Sequence, residues 1–284
     1  MWTLEKPDLH DAFEDIKAII AASKGELIDD DEPHIRMVYQ NYDDNKGFIS
    51  KAVNNTLCKK QRKVLHELYS ETGIKNKKLG RLYYIREELF DKVDQCPMCG
   101  MAPPQQLDHQ LAQANYESVA VLRLNLVPVC GVCNNKKRAK SPYDFVHPYY
   151  AEFPENVVFL IAKVRVDVDN LLVSWSFDID GTEFHDDELL RKVNNQVSVI
   201  ELFKRLQKQS NCFLSEMLYG TKFLSDDQLK DFLQREYEKS KELFGLNHWR
   251  TALLSALYQE PRFSYRVVNN FISQIKPVNG SRNA

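Results

Sequence analysis

Four cysteines in two equal pairs constrain this chain more than any other feature. Cys96-Pro-Met-Cys99 and Cys130-Gly-Val-Cys133 repeat one Cys-x-x-Cys spacing across a gap of thirty residues. Each turn of this kind presents two thiolates to one ion, and two turns complete a tetrahedral zinc site. The competing use of four cysteines is a disulfide framework, which requires an oxidising compartment. The N-terminus carries acids and lacks an apolar core segment, so it does not read as a secretion signal. No run of about eighteen apolar residues is present to cross a membrane. The expected location is therefore cytoplasmic and the expected ligand is structural Zn²⁺. A redox Cys-x-x-Cys occurs singly, whereas here there are two, and Cys58 and Cys212 stand apart and read as inert thiols.

The rest of the chain divides by periodicity. Leu9, Phe13, Ile16 and Ile20 share a helical face, as do Leu57, Val64, Leu65 and Leu68 with Gly73 as the stop. Leu79, Leu82, Tyr83, Leu89, Phe90 and Val93 make a third stripe, while residues 25–50 are polar, uneven and left unassigned. Residues 157–168 and 171–179, rich in β-branched side chains and joined by Asp169-Asn170, predict a hairpin. A helical stripe then runs through Leu190, Val193, Val197, Ile200 and Phe203. Ser225-Asp-Asp-Gln228 is a capping box that opens another helix, and a further one runs from Trp249 to Leu257 before Pro261. The expected fold is α+β, mostly helical, with a central zinc-stapled unit and a following β-hairpin. The expected regions are 1–90 (helical), 91–150 (the cysteine unit) and 151–284 (hairpin and helices).

A net charge of −2 does not by itself suggest a nucleic-acid partner. The distribution does. Lys59, Lys60, Arg62, Lys63, Lys75, Lys77, Lys78, Arg81 and Arg86 precede the cysteines, and Lys136, Lys137, Arg138 and Lys140 follow them. Any one run could be a solvated helix face, but clustering around the cysteine unit favours phosphate binding.

Between the cysteine pairs lie Leu107-Asp108-His109 and Asn125-Leu-Val-Pro128, and Asn134-Asn-Lys-Lys137 follows Cys133 directly. An isolated Asp-His pair carries no information, and an Asn after Cys can be a turn former. The joint order is what is specific. Cys-x-x-Cys, Asp-His, Asn-Leu, Cys-x-x-Cys-Asn-x-x-Lys resembles the zinc-knuckle branch of the HNH (ββα-metal) endonuclease family. The resemblance implies that His109 is the general base and that Asp108 and Asn134 bind a catalytic Mg²⁺ or Mn²⁺. It further implies that Asn125 steadies the loop around the histidine, while Lys137 and Arg138 contact the substrate backbone. The chemistry suits these types, since histidine titrates near neutral pH and hard cations prefer oxygen ligands. Because neighbours on a strand face opposite ways, Asp108 and His109 need a bend to share one site.

Asn125-Leu-Val-Pro-Val-Cys130 and Phe145-Val-His-Pro-Tyr149 also resemble HNH partners of ATPases in Septu-like and retron-associated anti-phage systems, over roughly residues 90 to 180. That likeness implies a DNA-cleaving defence effector with an ATPase partner. The chain departs from the pattern after Asp-His, where Gln110-Leu-Ala-Gln113 replaces an apolar residue followed by Pro-Lys. His147 is open between a structural cap and a substrate contact. Two rival readings are a non-catalytic zinc module that binds nucleic acid and an adaptor whose HNH unit has decayed.

Overall fold

The computed structural model describes residues 2–75, 78–138, 144–154 and 156–275. It is α+β and mostly helical, with three separate two-stranded antiparallel sheets among the described residues. Two compact units are present: residues 1–153 with 188–200, and residues 154–187 with 201–284.

In the first unit, α1 (Leu9–Ala22) starts where the Asp8 carboxylate accepts the His10 N–H at 2.8 Å, and it buries Ala12, Ile16 and Ile19. The unassigned stretch contains α2 (Glu32–Asp44), which opens with a proline in its first turn. Two of its four buried residues, Tyr39 and Tyr42, are tyrosines, and this weakened its apolar signature. A short turn, α3 (Lys51–Asn54), leads to α4 (Lys59–Leu68), which ends in a tighter turn at residues 69–72. The stripe expected from Leu79 onward is broken. β1 (Ile74–Lys75) and β2 (Lys78–Leu79) form a small hairpin with Leu79 exposed, and α5 begins only at Tyr83 (Tyr83–Asp91). Gly80 permits this close return, because a Cβ there would lie 1.9 Å from the Glu71 carbonyl oxygen.

β3 (Gln106–His109) pairs antiparallel with β4 (Leu126–Val129), with Asp108 opposite Val127 and His109 opposite Leu126. α6 (Gly131–Lys137) follows at once, so the cysteine region is a β-β-α unit. One hydrophobic cluster runs from Ala12 through Leu65 and Ile85 to Leu126. The expected boundary near residue 90 therefore does not divide the fold, since both sides share that core. α7 (Asp187–Val199) also crosses the expected divisions. From Glu188 it belongs to the first unit, where Arg191 pairs with Asp144 at 2.7 Å.

The second unit holds the expected hairpin, β5 (Leu160–Asp167) and β6 (Leu172–Ile179), with Asp167 opposite Leu172. Around it lie α8 (Leu202–Tyr219), α9 (Asp226–Phe244), α10 (Trp249–Gln259) and α11 (Tyr265–Ser273). The stripe expected to run from Leu190 to Phe203 is cut at Glu201, whose φ of +49° ends one helix and starts the next. Ser225 caps α9 as its sequence predicts.

A buried ion pair ties the first unit together. Arg123 Nε and Nη2 donate to the two oxygens of Asp15 at 2.7 and 2.8 Å, and Tyr84 O–H donates to the same carboxylate at 2.7 Å. Arg123 Nη1 also donates to the half-exposed Glu88 carboxylate at 2.8 Å, so loss of Asp15 leaves the guanidinium one close partner. Asp15→Ala should therefore lower the unfolding free energy of this unit by less than the about 3–5 kcal/mol of a fully stranded charge, and Asp15→Ala with Arg123→Met by less still. Urea melts of the two variants read this out.

Candidate metal centre and active site

The Cys96–Cys99 turn closes with the Gly100 N–H donating to the Cys96 carbonyl at 2.8 Å, and Gly100 takes a φ of +62° to allow it. Cys130 is the N-terminal cap of α6 and Cys133 lies in its first turn. The four sulfurs lie within 4.8 Å of one another, and all four residues are buried. Cys99 Sγ and Cys130 Sγ are 3.8 Å apart. A zinc tetrahedron with bonds of about 2.3 Å has edges of about 3.8 Å, so the cluster has the size and donor chemistry for that ion. Without a cation the thiols cannot ionise together: hydrogen bonding to Cys130 pushes Cys133 up, and hydrogen bonding from Cys133 pulls Cys130 down.

Beside this cluster is an open cavity of about 360 Å³ whose lining includes Asp108, His109, Asn134 and Arg138. The strand ends at His109, and the next residue turns away as the Gln110 N–H donates to the Asn125 carbonyl at 2.9 Å. That turn lets Asp108 and His109 line one cavity in spite of their adjacency.

His109 is held on two sides. Its Nε2 lies 2.9 Å from the Ala120 carbonyl oxygen, and the edge of Tyr69 meets its ring at a centroid distance of 4.3 Å. A carbonyl oxygen only accepts, so the proton resides on Nε2 and Nδ1 is the acceptor. Burial, with the Lys137 charge adding to it, lowers the His109 pKa to about 4. The ring is therefore neutral near pH 7.

Asn134 Nδ2 donates to Gln106 Oε1 at 2.7 Å, which leaves its amide oxygen as the atom suited to a cation. Asn125 does not line the cavity. It is fully buried at the end of a 3-10 turn just before β4, where Oδ1 accepts the Leu111 N–H at 2.7 Å and the Tyr42 hydroxyl at 3.1 Å. Its Nδ2 donates to the Leu111 and Val119 carbonyls at 3.2 and 3.0 Å. Asn125 thus staples both ends of the loop that carries Ala120, the acceptor for His109.

Lys137 lies where a backbone phosphate could not reach it. It is 1% exposed, and its ammonium donates to Asp108 Oδ2 and, at 2.9 Å, to the His109 carbonyl. One full helical turn after Cys133, it points into the β3 side of the unit, which corrects the expectation of a surface contact. Burial raises the Asp108 pKa in spite of that neighbour. Arg138 is exposed on the cavity rim with a φ of +49°. Lys140 and Lys77 lie outside the described residues.

His147 resolves as a cap. Its Nδ1 accepts the Tyr149 N–H at 3.3 Å, so Nε2 donates to the Tyr42 hydroxyl at 2.9 Å, and the Tyr42 O–H donates in turn to Asn125 Oδ1 at 3.1 Å. Gly47, at φ +90°, makes room for it, since a Cβ there would lie 2.3 Å from the imidazole. Part of the basic run is also structural. Arg62 pairs with Glu117, Arg81 donates to the Ala22 carbonyl, and Arg86 donates to the Gln105 carbonyl. Lys59, Lys60, Lys63 and Lys78 remain exposed. Sequence reasoning missed Tyr69 and Gln113, which also line the cavity. No local pattern marks either one, because Tyr69 arrives through the turn after α4.

No family model and no solved structure matches the chain. It is 31% identical over 91 residues to protein Ea31 of Escherichia phage lambda, a stretch covering 30% of this chain and 30% of that protein. The match therefore spans less than a third of either protein.

The lowered His109 pKa has a consequence for stability. The unfolded chain takes up this proton near pH 6.5 and the folded chain only near 4, so stability is full above about 6.5 and declines as the pH falls through that window. His147, pushed down by burial, acts in the same direction. Unfolding free energies measured between pH 7 and 4 should fall steadily, and the fall should shrink in His109→Gln.

Proposed function

We propose that this chain is a metal-dependent endonuclease of the HNH type that hydrolyses phosphodiester bonds in DNA. The observation that carries the reading is the meeting of Asp108, His109 and Asn134 on one open cavity against a four-cysteine cluster. Binding alone requires neither a neutral imidazole with a fixed tautomer nor a neighbouring carboxylate. Asp108 and the Asn134 amide oxygen would hold Mg²⁺ or Mn²⁺, which supplies positive charge to the phosphate. His109 Nδ1 accepts the proton of the attacking water, with Nε2 anchored on Ala120 so that the ring keeps its angle. Arg138, which lines the cavity, would meet a phosphate oxygen. The four cysteines would carry structural zinc and keep α6 against β3.

Plasmid nicking in Mg²⁺ or Mn²⁺ tests this. His109→Ala should lose about 10²–10⁴-fold in rate while keeping zinc and melting temperature. Asn134→Ala should keep zinc and lose the response to the divalent ion. Cys133→Ser should lose zinc and unfold the unit, because metal binding there is coupled to folding. Wild-type chain that leaves DNA intact in both ions contradicts the nuclease reading and favours a binding module.

A place in anti-phage defence beside an ATPase is part of the same proposal, drawn from the family resemblance. A protein partner of any kind would be compatible with large apolar side chains left in water in the second unit: Tyr219 at 63%, Phe223 at 96% and Leu243 at 63% exposure. Burial of such side chains is common in stable interfaces. Co-expression with the neighbouring gene product should yield a complex that Phe223→Ser weakens. A chain that elutes alone would remove the partner from the proposal.

A further inference from the structure

The cavity that holds His109 is poor in negative charge for a site meant to hold a divalent cation. Among the described residues, Asp108 is the only carboxylate in its lining, and one of its oxygens is already engaged by Lys137. Neither partner can turn outward to water, since the lysine side chain is 1% and the aspartate side chain 6% exposed. The ammonium is fixed further by the His109 carbonyl at 2.9 Å and lies 5.7 Å from the centre of the Phe145 ring. Arg138 adds a second positive charge at the rim, so two basic side chains, Lys137 and Arg138, face a single carboxylate. The remaining oxygen donors are uncharged. One of them, Gln113 Oε1, is buried without a hydrogen-bond partner and awaits a cation, a water or a donor group.

A hard divalent ion is ordinarily held by one or two carboxylates together with phosphate oxygens. Here the protein's single carboxylate is balanced internally, so the missing negative charge has to come from the ligand. We propose that Lys137 makes divalent-ion binding conditional on an anionic phosphodiester: the cation and the nucleic acid enter as a pair, and neither is held tightly alone. The proposal rests on the nuclease reading and assigns to Lys137 a positioning role, through Asp108, in place of contact with substrate. Such coupling is reciprocal, so the ion must strengthen nucleic-acid binding by the same factor that the nucleic acid strengthens ion binding. It would also keep the site empty of metal, and inert, until a strand is bound.

The test uses the zinc-loaded full chain and Mn²⁺, followed by the electron paramagnetic resonance signal of the unbound ion. The titration is run with and without a phosphorothioate DNA duplex that resists cleavage. Mn²⁺ affinity should rise about tenfold or more when the duplex is present. In Lys137→Gln the side chain can still donate to Asp108 but has no charge. Duplex-free Mn²⁺ affinity should then rise about tenfold, and the effect of the duplex should shrink. Arg138→Gln, at an exposed position, should produce a smaller change in the same direction. If Lys137→Gln loses zinc or melts early, the wild-type comparison and Arg138→Gln decide the matter. Equal Mn²⁺ affinity with and without duplex, alongside intact Mn²⁺-dependent nicking, overturns this proposal and leaves the nuclease reading standing. No Mn²⁺ binding in either condition, with no nicking, overturns both.

Discussion

Four sulfurs within 4.8 Å of one another are the constraint on which the rest of the first unit depends. Buried thiols at that spacing cannot all ionise unless a cation joins them, and once joined they fix two distant turns to each other. One turn precedes β3 and the other opens α6, so the cluster holds both flanks of the strand pair at a point where neither strand exceeds four residues. Strands so short have little independent stability. The position of Asp108, His109 and Asn134 on one cavity follows from this staple, because the first two lie on β3 and the third lies one residue beyond Cys133.

The staple does not orient the histidine, however. That is done by hydrogen bonds reaching in from the opposite side. His147 donates to Tyr42, Tyr42 donates to Asn125, and Asn125 bonds to Leu111 and Val119 on the loop that presents the Ala120 carbonyl to His109. Every link is buried or half-buried, and a buried polar group left without a partner is costly. The order of the chain is therefore cooperative: α2, the His-Pro-Tyr segment and the strand pair each supply one link. This explains why the helices before residue 90 share a core with the cysteine unit and do not form a separate module.

The lysine and the arginine nearest the site show how one charge type serves two ends. Arg138 stays in water at the rim, whereas Lys137, one residue earlier, is sealed inside against Asp108. α6 ends at Lys137, and the positive φ of Arg138 turns the chain out of the helix, which sends one side chain to solvent and leaves the other in the core. The same division runs through the basic stretch before the cysteines. There Arg62, Arg81 and Arg86 satisfy carboxylates and carbonyls while Lys59, Lys60 and Lys63 remain exposed.

The sequence by itself determined the elements that a short window can carry: the Cys-x-x-Cys turns, the capping box at Ser225, the β-branched hairpin and the amphipathic faces of α1, α4 and α10. It also placed the candidate site residues in one region, because their order is tied to the cysteine spacing. Its limits were reached where a local pattern is ambiguous or where contacts cross the chain. α2 was missed because tyrosines fill half its core face. Leu79 was grouped with a helix that begins only after Gly80, at Tyr83, and Phe203 with a helix from which Glu201 separates it. Lys137 looked like a phosphate contact, since nothing in a run of basic residues says which one a helix will turn inward. Tyr69, Tyr42 and His147 are 40, 67 and 38 residues from His109 in the chain, and only tertiary packing sets Tyr69 against its ring and links the other two, through Asn125, to the loop that anchors it. The structure decided which charges were desolvated and which nitrogen of His109 kept its proton, because both depend on neighbours that no local window contains.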